Sequence, residues 1–527
     1  MTDLEGTGAL VLLILRRDRI RIFIWVAAIV LLVALTAVSV QSVFPTQAAI
    51  DQAAAATQHN AGAIAFNGPA QGLDTLGGQV AFQVGALGMV IVALMSLFMI
   101  GRLTRGDEEA GRLELIRSLP VGIHAPGFAA LLTVTGMNIV VGGLASLALV
   151  ALGLPAAGSL VLAASYTVVG VVFTGLALVA AQVTESTRVV YGSTGALLGV
   201  AYIMRVVGDV GDGTLSWFTP IGLAQKARPY AGETWLPLLP LLAAAAALVL
   251  AAVALARRRD HGGGLVAPRP GRAHATPSLG RPVGLALRLQ RGTLIGWGLG
   301  IAVAGIAYGW IAPTIDRFVA NNKALADVMA SGGGATLIDS YFATSFRVMA
   351  LVATGFAIQS ALRLRSEEAA TRAEPVLATP ISRWRWATSH LSVAVSGSVV
   401  LLAIAGLATG VTYAAAGGPW SGVPRLLGAA VVYAPAMWLM IGIALAVFGF
   451  APRWVDIAWG VLAACLVVGL LGPVLRLPDW VQMLSPFERV PQLPAAHLAA
   501  TPLLVMVALA AAFALAGLGG LRRRDFA

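Results

Sequence analysis

The chain has 527 residues, of which 58% are apolar and only 11% charged, and its mean hydropathy is +0.84. This composition excludes a soluble globular protein, in which about a quarter of the residues are charged. The net charge of +11 would suit a nucleic-acid-binding protein, but the placement of the arginines, described below, argues against that class. The single cysteine, Cys465, excludes a disulfide within the chain and a paired-cysteine metal site.

Runs of about twenty apolar residues recur along the chain, and each is long enough to cross ~30 Å of hydrocarbon as a helix. The first run follows RRDRIR and is too long for a signal peptide, so it is predicted to be an uncleaved span. The sequence therefore predicts an all-α polytopic membrane protein with twelve transmembrane helices. The predicted spans are residues 22–43, 81–101, 128–152, 157–183, 189–210, 235–256, 294–314, 342–362, 387–414, 426–450, 454–475 and 497–520.

The arginines predict the orientation of these spans. Most of the 35 basic residues fall at the two ends, in the central segment or in alternate loops, whereas the loop 45–80 contains none. Because cytoplasmic loops carry an excess of basic residues, both termini are predicted to be cytoplasmic in a multi-pass plasma-membrane protein. The net charge then reflects topology and contact with anionic lipid, and no nucleic-acid partner is expected.

Two similar halves follow one another in the chain. The segment 257–284 is rich in Gly, Pro and Arg and is predicted to be a cytoplasmic linker between six-span halves at 1–256 and 285–527. Landmarks recur in the same order in both halves, including RRRD at 257–260 and again at 522–525. Six spans return the chain to the same side, so the halves are predicted to be parallel repeats.

The clearest repeat lies in the loop between the second and third spans of each half. RGDEEAGRLELIRSLP at 105–120 matches RSEEAATRAEPVLATP at 365–380 with an offset of 260 residues. Arginines alone would orient such a loop, and acids contribute little to orientation. The repeated acids therefore predict a docking surface for a partner protein.

These loop residues resemble the loop after the second span of ABC-2-type permeases, the membrane subunits of type V ABC exporters. The fused form with two six-span halves is similar to actinobacterial permeases of the tetronasin-type antibiotic and mycobacterial multidrug exporters. The resemblance implies a permease that exports hydrophobic drugs, antibiotics or lipids, with each loop acting as a coupling helix that seats in an ATPase. The implied ATPase-coupling residues are Asp107, Glu108, Glu109, Arg112, Glu114, Glu367, Glu368, Arg372 and Glu374.

The second loop departs from the family pattern, because Ala373 and Pro375 flank Glu374 where the family prefers leucines. A shorter coupling helix and unequal engagement of the two loops follow as expectations. The only two lysines, Lys226 and Lys323, lie in no GxxxxGK[ST] phosphate loop. The chain is therefore predicted not to be an enzyme and to hold no cofactor. The resemblance implies that ATP and Mg²⁺ are bound by two copies of a separate ABC ATPase subunit.

Aromatic, Met and polar residues within the spans are the candidates for a substrate pathway, because Met and Phe form adaptable apolar surfaces. Ordinary packing is the alternative for each of them, and the arginines can instead snorkel to the headgroups. The candidates are Phe82, Gln83, Met89, Phe98, Tyr202, Met204, Arg205, Phe346, Arg347, Phe356 and Gln359.

Two other function classes remain open from the sequence. A twelve-span proton-coupled secondary drug transporter also has two parallel halves, and GRLTRGDEEAGR at 101–112 echoes a loop motif of the major facilitator type. Against it, the spans contain almost no buried acid for a proton relay; Asp209 and Asp456 lie near span ends. A membrane scaffold without transport activity leaves the paired acidic loops unexplained.

Overall fold

The computed structural model of this chain describes residues 3–58, 61–259, 263–266, 274–320, 337–471 and 478–524. Within these ranges the secondary structure is helical and contains no β-strand. Twelve helices are long and apolar enough to cross a membrane, which confirms the predicted all-α polytopic class. Clustering of the contacts divides the chain into two compact units, Met1–Gly271 and Arg272–Ala527.

The first unit contains twelve helices in its described part, and six of them form spans. In chain order they are α1 (Thr7–Arg17), α2 (Arg19–Val43), α3 (Gln47–Thr57), α4 (Ala61–Asn67), α5 (Leu76–Gly101), α6 (Asp107–Glu109), α7 (Arg112–Arg117), α8 (Ala125–Ala151), α9 (Ala156–Val183), α10 (Thr187–Val210), α11 (Pro220–Gln225) and α12 (Leu238–Ala256). A π-helical turn, Arg102–Gly106, joins α5 to α6, so the second span runs on as far as Glu109.

The second unit repeats the order of spans and of the short helices between the second and third spans. Its helices in the described ranges are α13 (Pro282–Ala320), α14 (Leu337–Ala361), α15 (Arg363–Ala369), α16 (Ala373–Leu377), α17 (Arg383–Ala415), α18 (Gly422–Val431), α19 (Ala434–Phe450), α20 (Ile457–Leu471), α21 (Asp479–Gln482) and α22 (Ala500–Arg523).

Several helix ends differ from the predicted limits for identifiable reasons. The second span begins at Leu76, before the predicted residue 81, because the Thr75 hydroxyl caps the helix by accepting from the Gly78 N–H at 3.0 Å. The predicted span 426–450 is two helices, α18 and α19, with Pro435 in the first turn of α19, where proline is tolerated. The predicted end of the eleventh span, at 472–475, lies outside the described residues.

The predicted linker 257–284 is only partly described, since residues 260–262 and 267–273 lie outside the described ranges. Its residues 263–266 are held against the end of α9: the Leu265 N–H donates to the Gln182 carbonyl at 3.2 Å and the Val266 N–H to the Val183 carbonyl at 3.0 Å. Helix α13 begins at Pro282, so the last three residues of the predicted linker are helical.

Each unit packs its spans around small residues and a few satisfied polar groups. In the first unit, the buried Tyr166 hydroxyl donates to the Val84 carbonyl at 3.0 Å, which joins α9 to α5. In the second unit, α19 and α22 approach so closely that a Cβ on Gly449 or Gly517 would meet the backbone of the other helix. Small residues allow this close approach between membrane helices, where packing replaces the hydrophobic drive.

Candidate functional site: the two charged loops

The first charged loop (residues 102–121) and the second charged loop (residues 362–381) follow the same backbone path. In both, a short helix is followed, two residues after its end, by a residue in the left-handed region: Gly111 with φ 67° and Thr371 with φ 55°. The Gly111 N–H donates to the Glu108 carbonyl and the Thr371 N–H to the Glu368 carbonyl, each at 2.9 Å. The repeat seen in the sequence is therefore also a repeat of backbone conformation.

The second turn of each loop repeats as well. The Ser118 N–H donates to the Glu114 carbonyl at 3.1 Å, and the Ala378 N–H donates to the Glu374 carbonyl at 2.9 Å. The helix in this turn has six residues in the first loop, Arg112–Arg117, and five in the second, Ala373–Leu377. The helix of the second loop is thus shorter by one residue, in the direction that the sequence predicted.

The first acidic position of each loop is buried between two arginines. Asp107 lies 3.0 Å from Arg112 Nε and 2.9 Å from Arg17 Nη1. Glu367 lies 2.9 Å from Arg372 Nε and 2.7 Å from Arg363 Nη2. The hydrogen bond to Glu367 raises the pKa of Arg372 above its ordinary value. In each loop, two predicted coupling residues that lie five positions apart, Asp107 with Arg112 and Glu367 with Arg372, thus form an ion pair.

The second acidic position joins each loop to the end of its unit's sixth span. Glu108 lies 2.6 Å from Arg105 Nη1 and 2.5 Å from Arg259 Nη2. Glu368 accepts two hydrogen bonds from Arg524 Nη2, at 2.7 and 2.8 Å, and Arg365 lies 3.9 Å away. Arg259 and Arg524 are each the third arginine of an RRRD motif. The repeated motif at the sixth span therefore has a structural partner in the repeated loop.

Three of the predicted ATPase-coupling acids are exposed, in contrast to the four ion-paired ones. Glu109 accepts from the Thr187 N–H at 2.7 Å and so caps the start of α10. Glu114 and Glu374 face solvent on the two short helices. Only these acids present a carboxylate at the surface of the loops.

The exposed faces of the loops differ in their apolar content. In the first loop Leu115 is 72% exposed and Leu119 is 60% exposed. At the same offset of 260 residues the second loop carries Pro375 and Thr379, both exposed. The two loops therefore share an internal arrangement and present different surfaces.

The N-terminal segment up to the end of α1 packs against the first loop and the residues that follow it. The Gly122 N–H donates to the Glu5 carbonyl at 2.9 Å and the His124 N–H to the Asp3 carbonyl at 3.0 Å. Leu10 and Ile14 of α1 are buried in the core of the first unit. Helix α1 is thus packed into the first unit, and this packing places Arg17, its last residue, in contact with Asp107.

Asp18, at the end of α1, forms a second ion-pair cluster beside the first loop. It is buried and lies 2.8 Å from Arg17 and Arg21 and 2.9 Å from Arg102. Burial alone would raise the pKa of Asp18, but the hydrogen bonds from Arg17 and Arg21 outweigh it and hold this pKa below its ordinary value. The stabilisation by Asp18 is therefore present above the ordinary carboxyl pKa and is lost as the pH falls through the lowered value.

The pathway candidates of the first unit are distributed over α5 and α10. Phe82 and Met89 are buried and line a small cavity of about 30 Å³, and Gln83 is exposed on the other side of α5. Phe98 is 39% exposed and stacks on Trp25 with the ring centroids 6.4 Å apart. The four candidates of α5 do not share one cavity.

The α10 candidates surround the buried Arg205. Its guanidinium lies over the Tyr202 ring at 4.4 Å, and Nη2 donates to the Phe66 carbonyl at 3.2 Å. The Tyr202 hydroxyl donates to the same carbonyl at 2.9 Å, and Asp209 lies 3.4 Å from Arg205 Nη1. Met204, half-buried, lies beside this cluster in sequence. Arg205 and Tyr202 therefore hold the end of α4 in place.

In the second unit the candidates lie on α14. Arg347 forms an ion pair with Glu488 at 2.7 Å, and the Gln359 side-chain oxygen Oε1 accepts from Trp297 Nε1 at 3.0 Å. Phe346 and Phe356 are buried in the core of the second unit. Each of these side chains has a contact within its own unit, and their role in a substrate pathway stays a prediction.

Sequence reasoning missed the residues that hold the loops in place. From the sequence, Arg17, Arg259 and Arg524 indicated only the orientation of the spans, and Asp18 had no predicted role. The signal for Arg259 and Arg524 was present, because RRRD recurs at the end of both halves together with the acidic loop.

Comparison with known proteins relates this chain to a multidrug efflux permease. The chain is 39% identical over 523 residues to the multidrug efflux system permease protein Rv1217c of Mycobacterium tuberculosis, a match that covers 99% of this chain and 95% of the relative. Residues 279–522 match the family model described as the C-terminal domain of the multidrug efflux system permease Rv1217c.

Proposed function

Because this chain belongs to the family of the multidrug efflux system permease Rv1217c, we propose that it is the membrane subunit of an ATP-driven exporter of hydrophobic drugs, antibiotics or lipids. Two copies of a separate ABC ATPase subunit dock on the two charged loops, and these subunits bind ATP and Mg²⁺. The chain itself carries out no ATP chemistry; it changes the access of a membrane cavity when the docked ATPases move.

The observation that carries the proposal is the pair of ion-paired loops with one shared conformation. The second acid of each loop forms an ion pair within the chain. Glu108 joins the first loop to the end of the sixth span of its unit through Arg259, and Glu368 joins the second loop to the end of the sixth span of its unit through Arg524. A loop whose only task is to orient the spans needs arginines alone. A loop fixed to two spans transmits a displacement at its tip to both of them, as a coupling element must.

The tip of the first loop has the composition of a protein contact. Leu115 and Leu119 are exposed at a charged loop, where lipid tails do not cover them, and Glu114 lies beside them. Exposed apolar residues rimmed by polar ones mark protein interaction sites. We define Glu114, Leu115 and Leu119 as the docking face of the first loop, and Glu374, Pro375 and Thr379 as that of the second.

We propose distinct roles for the predicted coupling residues, and the geometry of the loops supports them. Asp107, Glu108, Glu367 and Glu368, with Arg112 and Arg372, set the shape of the loops. Glu114 and Glu374 contact the ATPase, and Glu109 fixes the neighbouring α10. The substrate passes the spans, and the pathway candidates on α5, α10 and α14 remain the residues to test for it.

The test is co-purification of the tagged full-length chain in mild detergent from its own host. A P-loop ATPase is expected at about two copies per chain. The double variant Leu115→Asp and Leu119→Asp is expected to lose most of this ATPase, because two charges would be buried without partners in the interface. Val266→Asp is the matched control, since Val266 is 64% exposed in the same unit but outside the loop.

The opposite result is equally well defined. A chain that purifies alone, and moves drug in vesicles with a proton gradient and no ATP, would exclude the ATP-driven mechanism and establish a secondary transporter. Equal loss of the ATPase in Val266→Asp would show that the docking face is not the contact.

A further inference from the structure

A cavity of about 830 Å³ lies in the first unit, at the end of the spans that carries the first charged loop. Its walls come from the N-terminal segment, the first charged loop and helices α8, α9 and α12. Its volume falls within the ~300–1,000 Å³ typical of sites for small molecules. The cavity contains neither a residue of the docking face nor one of the pathway candidates, so the proposed function does not explain it.

The lining of this cavity is divided into an apolar wall and a charged mouth. The apolar wall consists of Phe128, Leu131, Leu178, Val249, Ala252 and Val253. The mouth carries Arg117, Arg257 and Arg259 together with His124, Asp3 and Glu108. Glu108 is already neutralised by its ion pairs with Arg105 and Arg259, which leaves the mouth cationic.

Two polar groups of the lining have unused hydrogen-bonding capacity. Among the described residues, Arg117 Nε and Gln182 Oε1 are buried without a hydrogen-bond partner. Arg117 donates only one long bond, at 3.4 Å, to the Ile123 carbonyl, and burial lowers its pKa from the ordinary value. A buried donor or acceptor without a partner is costly, so a ligand that supplies both an acceptor and a donor would be stabilised here.

We propose that this cavity binds an anionic phospholipid from the surrounding bilayer, with its phosphate at Arg117 and Arg257 and an acyl chain along the apolar wall. The phosphate oxygens accept from the guanidinium groups, and a headgroup hydroxyl donates to Gln182 Oε1. Basic pockets between membrane helices at the headgroup level are suited to anionic lipid headgroups. Phosphatidylglycerol has the charge, the hydroxyl groups and the chains that this lining requires.

In the second unit, the residues equivalent to part of this lining are packed into a hydrophobic cluster. The cavity-lining residues Thr104, Leu113 and Pro126 correspond, at the offset of 260 residues, to Leu364, Ala373 and Trp386. These three are only 1%, 1% and 3% exposed and belong to one hydrophobic cluster with Phe448 and Leu518. Arg257 has a direct counterpart in Arg522 of the second RRRD motif, which is exposed, follows Leu521 of this cluster in the chain and serves as an internal control.

The test is titration of the delipidated full-length chain with phosphatidylglycerol, followed by native mass spectrometry. Phosphatidylcholine with the same acyl chains is the comparison for charge, and soluble glycerol phosphate is the comparison for a free phosphate ligand. Arg117→Gln and Arg257→Gln are each expected to weaken phosphatidylglycerol binding about fivefold, as for the loss of one basic contact to an anionic lipid. Arg522→Gln is expected to leave the affinity unchanged.

A variant that fills the cavity tests the acyl chain separately from the charge. Leu131→Trp keeps every arginine and is expected to lower phosphatidylglycerol binding; Val249→Phe makes the same test on a different helix if Leu131→Trp unfolds. Unchanged affinity in a folded filling variant would place the lipid outside the cavity and overturn the proposal.

Three other results would also overturn it. They are equal affinity for phosphatidylglycerol and phosphatidylcholine, equal effects of Arg257→Gln and Arg522→Gln, and binding of glycerol phosphate as tight as that of the lipid. None of these results depends on ATPase docking, so lipid binding in the cavity and ATPase docking on the loops are tested independently.

Discussion

The first and the second charged loop have the same backbone path but differ in what holds them and in what they expose. In the first loop Asp107 is held by Arg17, which comes from the separate helix α1. In the second loop the equivalent Glu367 is held by Arg363, one turn earlier on its own helix. The ion pair at the first acidic position is therefore present in both loops, but its arginine comes from a separate helix in the first loop and from the same helix in the second.

This difference distinguishes the residues that fix the conformation of a loop from those that are available to contact a partner. The acids at the first two acidic positions of each loop are buried or half-buried and set the loop conformation. The exposed apolar face differs, because Leu115 and Leu119 of the first loop are replaced by Pro375 and Thr379 in the second. A surface that contacts a partner is free to change while the internal pairs are kept. We expect the first loop to be the more rigid of the two and to contribute more to ATPase docking.

The largest expected effect is on the ion pair of the second acidic position. Glu108→Gln leaves Arg105 without its counter-ion, and the Arg105 side chain is only 1% exposed. We expect a loss of about 3 kcal/mol of stability, at the lower end of the cost of breaking a buried pair. Glu368→Gln is expected to cost about 1–2 kcal/mol, because water reaches the partly exposed Arg524 and Arg365.

Thermal unfolding of the purified variants, followed by circular dichroism in detergent, measures this difference. Glu114→Gln and Glu374→Gln are the controls, since they make the same change at exposed positions of the same loops. A Glu368→Gln variant that unfolds at or below the temperature of Glu108→Gln would contradict the stronger bracing of the first loop.

The next effect concerns the docking faces. Thr379→Leu gives the second loop the apolar residue of the first and is expected to tighten ATPase binding about tenfold, the value of one partly buried leucine. Leu119→Thr is expected to weaken binding by a similar factor. Both are measured as dissociation constants for the purified ATPase and the chain in nanodiscs, with Val266→Thr as the control for an exposed site away from the loops. If neither substitution changes the constant, the apolar faces are not in the contact.

Hydropathy was sufficient to predict the spans because each crossing requires its own long apolar helix. The helix ends depend on individual groups instead. The Thr75 hydroxyl starts the second span early, and Pro435 marks the start of α19 inside a run that reads as continuous. Such effects involve one side chain and hardly alter the hydropathy of a twenty-residue window.

Local sequence patterns were sufficient to identify the two charged loops, but they did not indicate how the side chains of the loops are arranged. The offset of 260 residues identified both loops and their acids, but not which acids are buried. Burial of Glu108 and Glu368 depends on Arg259 and Arg524, which lie about 150 residues further along the chain and meet the loops only when the sixth span is packed. No local pattern carries that information, and only the repeated RRRD motif pointed towards it.

The smallest expected effect concerns the left-handed residue that both loops require. A side chain in this region costs about 1–2 kcal/mol, and a β-branched residue is especially unfavourable there. Gly111→Thr is therefore expected to destabilise the first loop by about 1 kcal/mol, and Thr371→Gly to leave the second loop unchanged or slightly more stable, because relief of strain offsets the added chain entropy. Gly136→Thr is the control, since Gly136 lies in α8 with open space around it. Thermal unfolding compares the three variants, and a Gly111→Thr variant as stable as Gly136→Thr would show that the turn does not depend on glycine.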